Sequence, residues 1–516
     1  MKKVLVFLLI LCAAGARAQV VSSVEILGGE RWWGGYTALG RSMPFVEPTA
    51  KYDFRTMNFN NQGAPFFVSN LGRYIFLSEA GRWNFDGKSF NFDMPTTKAE
   101  VVKAGKTMRE AYILASNDHF KPSGVRPPAE FFNTAQWNTW IELLLNQNQR
   151  GIMDYAQGII KNGFTPGVLM VDDNWQRYFG SYDFKNEQFS DPRGMVDSLH
   201  AMGFKVMLWV CPFVSPDSPE FRDLSRRGLL LKTSDGKIKI SHWWNGFSAT
   251  YDLLNPEALA YVEGVLKETM NKYGVDGFKF DAGDVQYYES QTSGAHSRAW
   301  QDLALKFPYN EMRASWGGGG QANVQRLGDK DYSWGALQSL IPDMISASLL
   351  GYPYTCPDMI GGGQAGSFVG VDRSKLNQKL IVRWTQASAL MPMMQFSVAP
   401  WEVLDADNLT LVKRAAALHE KFAPYIIELA DAAAKTGEPI IRPMEYQFPN
   451  QGFTDCKDQF MLGSKFLVAP ILTDSNSRTV RLPKGAWVDD QGKRFRGPTV
   501  IAIDVAIDRL PYYELK

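Results

Sequence analysis

Acidic residues that close apolar runs are the places where this sequence could do chemistry. Val168 to Val171 runs into Asp172-Asp173, Gly277 to Phe280 runs into Asp281, and further acids sit in Gly328-Asp329 and Cys356-Pro357-Asp358. Side chains alternate along a strand, so Gly277, Lys279 and Asp281 share one face while Phe278 and Phe280 share the other. An ammonium beside a carboxylate keeps it ionised and available as a nucleophile. The competing reading is a structural ion pair buried at a strand end, and Lys-x-Asp alone does not choose between them. By the same alternation Asp172 and Asp173 should point to different sides. A strand-end acid contributes little to a core, so removing Asp281 should cost activity and hardly any stability. A second acid is needed to protonate a leaving group. Between Arg326 and Trp334 both Asp329 and Asp331 qualify by chemistry, and either could be a turn residue ahead of a helix expected from about Leu337.

Aromatic residues crowd the same stretch: Trp137, Trp140, Trp175, Trp209, Trp243, Trp244, Trp316 and Trp334. Any single tryptophan is by default a core residue. A group of them around carboxylates suits sugars, whose C–H faces stack on rings while their hydroxyls need charged acceptors. Gly317 to Gly320 lacks a following Gly-Lys-Ser/Thr, so it is a loop and not a phosphate cradle. The five histidines show no paired spacing and no neighbouring cysteine pair, so no metal site is expected.

Elements able to position these acids can be read from the texture of the chain. Residues 19–125 carry short strands broken by turn signals, such as Phe66 to Val68 and Tyr74 to Leu77, and suggest an antiparallel β-sandwich. Pro122, Pro127 and Pro128 mark a boundary. From 126 to 436 strands alternate with helices: Val168 to Val171, a helix from Gly194 to Met202, Lys205 to Val210, a helix from Pro256 to Tyr273, then Gly277 to Asp281. That alternation gives parallel βαβ units. With no glycine-rich dinucleotide turn after the first strand, a (β/α)8 barrel is favoured over a doubly wound sheet. Residues 437–516 return to short strands and are expected to form a second β-sandwich. In a barrel the acids at the carboxyl ends of strands gather in one mouth.

Composition narrows the function classes. The 516 residues are 45% apolar and 21% charged, with a net charge of +1, which leaves no basic excess for a nucleic-acid binder and too much apolar surface for disorder. Lys2-Lys3, the apolar stretch Val4 to Ala14 and Ala16-Arg17-Ala18 read as a signal peptide over 1–18, cut after Ala18, which implies a secreted or periplasmic location. Its removal takes three cations and shifts the net charge to −2. No later segment offers eighteen consecutive apolar residues. Cys211, Cys356 and Cys456, odd in number and far apart, do not form a disulfide framework.

The sequence resembles glycoside hydrolase family 31 over nearly all of the mature chain. Gly277 to Asp284 is similar to the family's nucleophile motif, which implies Asp281 as nucleophile. The family's acid/base lies in a Gly-Asp segment five residues before a tryptophan, a spacing kept by Asp329 and Trp334, which selects Asp329 over Asp331. Asp191 to Val206, Asp252 to Ala258, Leu350 to Tyr354 and Gln459 to Gly463 resemble further family blocks in order. Family α-glucosidases usually carry one first-strand Asp followed by Ile, an aromatic two residues before the nucleophile, and a His after strand eight. Here Asp172-Asp173, Lys279 and Ser397 stand instead, and together with Trp243 to Gly246, Pro357 to Gly362 and Met391 to Ser397 they resemble the α-galactosidase branch. In that branch an arginine sixteen residues before the acid/base contacts the sugar, the position of Arg313.

The resemblance implies a retaining α-galactosidase acting on an oligosaccharide or glycoconjugate with terminal α-galactose, needing no cofactor. Asp281 and Asp329 would lie about 5 to 5.5 Å apart. Asp172, Asp173, Trp244, Lys279, Arg313 and Asp358 would hold the sugar, Asp173 accepting from galactose's axial 4-hydroxyl. The alternatives are an α-glucosidase or α-xylosidase of the same family and, from another class, a non-catalytic sugar-binding protein.

Overall fold

Eight parallel strands at the centre of the chain carry the acids. The structure is a computed structural model and describes residues 18–516, so the leader assigned to 1–18 lies, all but Ala18, outside the described residues. The strands are β1 (Gln136–Asn138), β2 (Val168–Val171), β3 (Lys205–Val210), β4 (Gly277–Phe280), β5 (Tyr309–Met312), β6 (Val324–Arg326), β7 (Thr355–Cys356) and β8 (Gln395–Phe396). They pair in the order β7-β6-β5-β4-β3-β2-β1-β8. A parallel bridge between Met359 and Gln395 nearly closes the ring. This is the (β/α)8 barrel that the alternation of strands and helices implies.

Local sequence explains where its helices begin and end. Asn255 caps Pro256–Tyr273 by accepting from the Glu257 N–H, proline takes the first turn where its missing N–H is harmless, and Gly274 ends the helix at φ +77°. Helix Trp334–Leu349 starts three residues earlier than expected, because Ser333 accepts from the Ala336 N–H at 3.1 Å and so opens the helix at Trp334. On β4, Phe278 and Phe280 turn outward onto Phe307 and onto Trp300 of helix Ser293–Ala304, with ring centres 5.2 Å and 4.9 Å apart. Lys279 therefore points inward.

The N-terminal region forms two antiparallel sheets packed through Phe45, Phe67, Trp83 and Phe90. Its strands are followed by the helix Met108–His119, which lies inside the stretch read from sequence as all-β. Nor is the larger sheet made of N-terminal residues alone. Ser315–Trp316, from the loop after β5, pairs in parallel with Gln62 and Gly63 at its edge. The C-terminal region is a six-stranded sheet, joined to the barrel where Arg383 donates to the carbonyls of Val505, Ala506 and Arg509. Among the described residues no helix is long and apolar enough to cross a membrane. Cys211, Cys356 and Cys456 are free and buried.

Candidate active site

The carboxyl ends of the barrel strands open into a cavity of about 620 Å³. Asp172, Asp173, Trp244, Lys279, Asp281, Arg313 and Asp329, all singled out from sequence, line it. So do Trp209, one of the tryptophan group noted in the sequence, and Arg326 and, from the N-terminal region, Asn60 and Asn61, which sequence reasoning had not found.

Asp281 sits at the centre, buried, with both oxygens engaged. Arg313 Nε donates to Oδ1 at 2.5 Å, the Ala282 N–H to Oδ1 at 2.7 Å and Trp209 Nε1 to Oδ2 at 2.7 Å. Burial alone would push the carboxyl upward. Arg313, then Lys279 and Arg326, and finally the indole N–H outweigh it and hold Asp281 well below the usual carboxylate range. The chain leaves β4 through Ala282 at φ +53° and Gly283 at φ +78°, left-handed positions that turn the carboxylate back over the strand end. A Cβ on Gly283 would lie 2.4 Å from Trp300, so only glycine fits there.

Arg313 is held on every side. Its Nη2 donates to Asp284 at 3.0 Å and its Nη1 to the Asn60 carbonyl at 2.8 Å, and it lies 5.1 Å from the ring centre of Trp244. Gln62 Nε2 donates to the carbonyls of Arg313 at 2.7 Å and of Arg326 at 2.9 Å. The N-terminal sheet thus fixes both arginines. Arg326 Nη1 bridges Asp329 at 2.7 Å and Asp358 at 2.8 Å. The Asp329 side chain remains 32% exposed while that of Asp281 is 9% exposed, so one acid is enclosed and the other faces open space.

Two expectations are corrected by the geometry. Asp358 does not reach the cavity: at φ +85° the chain turns its carboxylate away from it, onto Arg326 and the N–H groups of Lys330 and Gly363, at 2.8 Å and 3.1 Å for the two amides. It positions Arg326 and is not a wall of the pocket. Asp172 and Asp173 do not point to opposite sides. Alternation ends with β2 at Val171, Asp173 N donates back to Asp172 Oδ1 at 2.9 Å, Asn174 turns at φ +79°, and both carboxylates face the cavity. Ser397, offered in place of a family histidine, is buried and accepts from the Ile141 N–H at 2.6 Å.

The two neighbouring acids differ in their partners. Asp172 pairs with Lys279 Nζ at 2.6 Å. Asp173 accepts from Asn245 on one oxygen, while its Oδ1 has no hydrogen-bond partner among the described residues. Burial pushes Asp173 up to about 7; Asn245 opposes the rise, and the charges of Asp172 and Asp281 add to it. Among the described residues no group of three or more metal-ligating side chains is placed to hold an ion.

The chain belongs to glycosyl hydrolase family 31: the profile of that family's TIM-barrel domain matches residues 132–306 and 286–429, and that of its C-terminal domain matches 437–514. It is 34% identical over 406 residues to the mouse myogenesis-regulating glycosidase, covering 75% of this chain and 56% of that one. It is 27% identical over 469 residues to an α-xylosidase of Lactiplantibacillus pentosus, covering 84% of this chain and 60% of that one. A family 31 α-xylosidase from a soil metagenome, solved with xylose, superposes with a TM-score of 0.84 at 21% identity, over 96% of this chain and 79% of the other. The chain therefore spans under two thirds of the length of these two relatives compared by sequence.

Two predictions follow from the charges. Removing Asp281 strips the acceptor from Trp209 Nε1 and the Ala282 N–H and takes from Arg313 its shortest contact. Asp281→Ala should then destabilise the fold by about 2 to 4 kcal/mol, contrary to the expectation from sequence. Thermal melts beside the exposed Asp331→Ala will show it, and equal melting points would refute it. For Asp173 the sign is opposite. A raised carboxyl pKa means that the folded chain keeps a proton which the unfolded chain releases, so stability falls as pH rises from about 4 towards 7. Asp173→Asn should melt higher than the parent at pH 8 and equal to it near pH 4.

Proposed function

We propose that this protein is a retaining α-glycosidase that removes terminal α-galactose. The observation that carries the mechanism is Asp281, a carboxylate kept ionised by Arg313, Lys279 and Arg326 in a cavity shared with the half-open Asp329. In the first step Asp281 attacks the anomeric carbon while Asp329 gives its proton to the departing oxygen, so the glycosidic bond breaks as a glycosyl ester forms. In the second step Asp329 takes a proton from water, whose oxygen attacks the same carbon and frees Asp281. Two inversions retain the configuration.

The choice of galactose rests on Asp173. Galactose and glucose differ in the direction of the 4-hydroxyl, and discrimination requires a buried group that one epimer satisfies and the other leaves unpaired; such a site can separate them by roughly 10⁴-fold. Asp173 lines the cavity, and its buried Oδ1, unpartnered among the described residues, has that character. The resemblance to an α-xylosidase over 84% of the chain supports a second reading, a xylose or glucose pocket. The leader-like residues 1–18 support action outside the cytoplasm.

Aryl α-galactoside, α-glucoside and α-xyloside tested side by side decide the sugar, and preference for either of the latter overturns the galactose reading. Asp173→Ile should collapse the galactoside-to-glucoside ratio of kcat/KM; an unchanged ratio makes the doubled acid structural. Asp329→Ala should slow alkyl glycosides far more than activated aryl ones, and azide should rescue the latter by replacing activated water. Asp331→Ala should do neither, and the reverse pattern would move the acid/base to Asp331.

A further inference from the structure

Arg41 belongs to two cavities. It lines the mouth of the catalytic cavity and also a neighbouring cleft of about 460 Å³, which lies between helix Trp334–Leu349 and the C-terminal sheet. Ser339 of that helix faces the first cavity and Gln338 and Pro342 face the second, so the helix forms a wall shared by both. Arg41 therefore stands at the junction of the two cavities.

The charges there are unbalanced. Lys457 Nζ donates to the Arg41 backbone carbonyl at 2.6 Å, which brings two cationic side chains to one place. Neither has a carboxylate within 4 Å among the described residues; the one side-chain hydrogen bond of Arg41 there goes to the Gly335 carbonyl at 3.1 Å. The nearby acids are engaged elsewhere. Asp343 is paired with Lys330 at 2.6 Å, and Asp458 with Arg478 at 3.0 Å. Partial burial and then the charge of Arg41 lower the Lys457 pKa, against the opposing charge of Asp455, which is itself paired with Arg481 at 3.0 Å. Asp331, which lines the catalytic cavity together with Arg41, is exposed and makes no ion pair with Arg41 or Lys457 among the described residues. Two cations without a paired carboxylate among the described residues, Arg41 exposed and Lys457 half-buried, attract an anion to the cleft they line.

We infer that Arg41 and Lys457 receive an acidic group, a carboxylate or sulfate, carried on the aglycone side of the substrate. The natural substrate is then an α-galactoside of an acidic saccharide or conjugate. This rests on the reading of the barrel cavity as an α-galactosidase site, and it deepens that reading by giving the leaving group a charge.

The test compares 4-carboxyphenyl and 4-carbamoylphenyl α-galactosides, which differ by one negative charge at nearly equal size. The carboxylate should be favoured in kcat/KM by about tenfold at low salt, and about 0.5 M NaCl should erase the preference. Arg41→Gln with Lys457→Gln should bring the ratio to about one, while Arg41→Lys, which keeps the charge, should preserve it. A ratio near one in the parent protein, or one unmoved by the double substitution, overturns the inference. If only glucosides or xylosides are cleaved, the galactose reading fails and the same aglycone pair on the accepted sugar carries the test. If none is cleaved, calorimetric binding of 4-hydroxybenzoate against 4-hydroxybenzamide decides it: preference for the benzoate that the double variant loses supports the anion site, and equal binding overturns it. Inorganic sulfate bound at these residues without any aglycone preference marks a free-anion site and overturns the assignment to the leaving group.

Discussion

An ionised carboxylate at the centre of a barrel mouth is expensive to bury, and the arrangement around it follows from that expense. Asp281 keeps its charge because Arg313, Lys279 and Arg326 surround it. Each cation must itself be matched. Arg313 takes Asp284, Lys279 takes Asp172, and Arg326 takes Asp329 and Asp358. One buried carboxylate thus draws in acids from the ends of β2, β4, β6 and β7, and the result is a mutually dependent set in which no charge can be moved alone.

Geometry also reaches beyond the barrel. Two arginines on adjacent strands need fixed backbones as well as fixed heads, and the turn at Asn60-Asn61 with the start of the N-terminal strand Gln62–Ser69 provides them: Asn60 receives Arg313, Gln62 holds both carbonyls, and Asn61 accepts from the Gly328 N–H at 2.9 Å, next to Asp329. Because Ser315–Trp316 completes that same sheet, the loop after β5 cannot shift without the N-terminal region shifting too. The N-terminal sandwich is thereby a part of the site and not a separate module.

What the sequence disclosed, and what it did not, divides along physical lines. Strand-end acids were legible because they interrupt apolar runs, and Lys279 because a period of two places it on the face of Asp281. Gly277, Phe278 and Phe280 read correctly for the same reason. Asn60 to Gln62 were invisible, since a short polar stretch before a strand looks like any turn and its partners lie about 250 residues away. Arg326 was passed over beside the more conspicuous Asp329. Asp173 was misplaced because strand alternation was carried past the strand, up to the left-handed Asn174, and Asp358 because the resemblance placed it on the sugar while its own left-handed backbone turns it away. Sequence separation says nothing about such turns unless glycine announces them.

The unequal enclosure of the two acids proposed as catalytic bears on why a pair of similar side chains could divide the work. A nucleophile must stay ionised through the cycle, and Asp281, walled in by cations and an indole N–H, has no easy route to a proton. An acid/base must exchange a proton with water each turnover. Asp329, tied to Arg326 by one oxygen and with a third of its side chain open, can do so. Asp173 belongs to neither class. It is buried like Asp281 but has no cation within salt-bridge distance among the described residues, so burial leaves it pushed up to about 7 with one oxygen unsatisfied. A fold tolerates such a group only where something else supplies the missing partner or where its removal would cost function. Within the proposed reading the missing partner is a sugar hydroxyl, and the local instability of Asp173 becomes the source of the epimer selectivity.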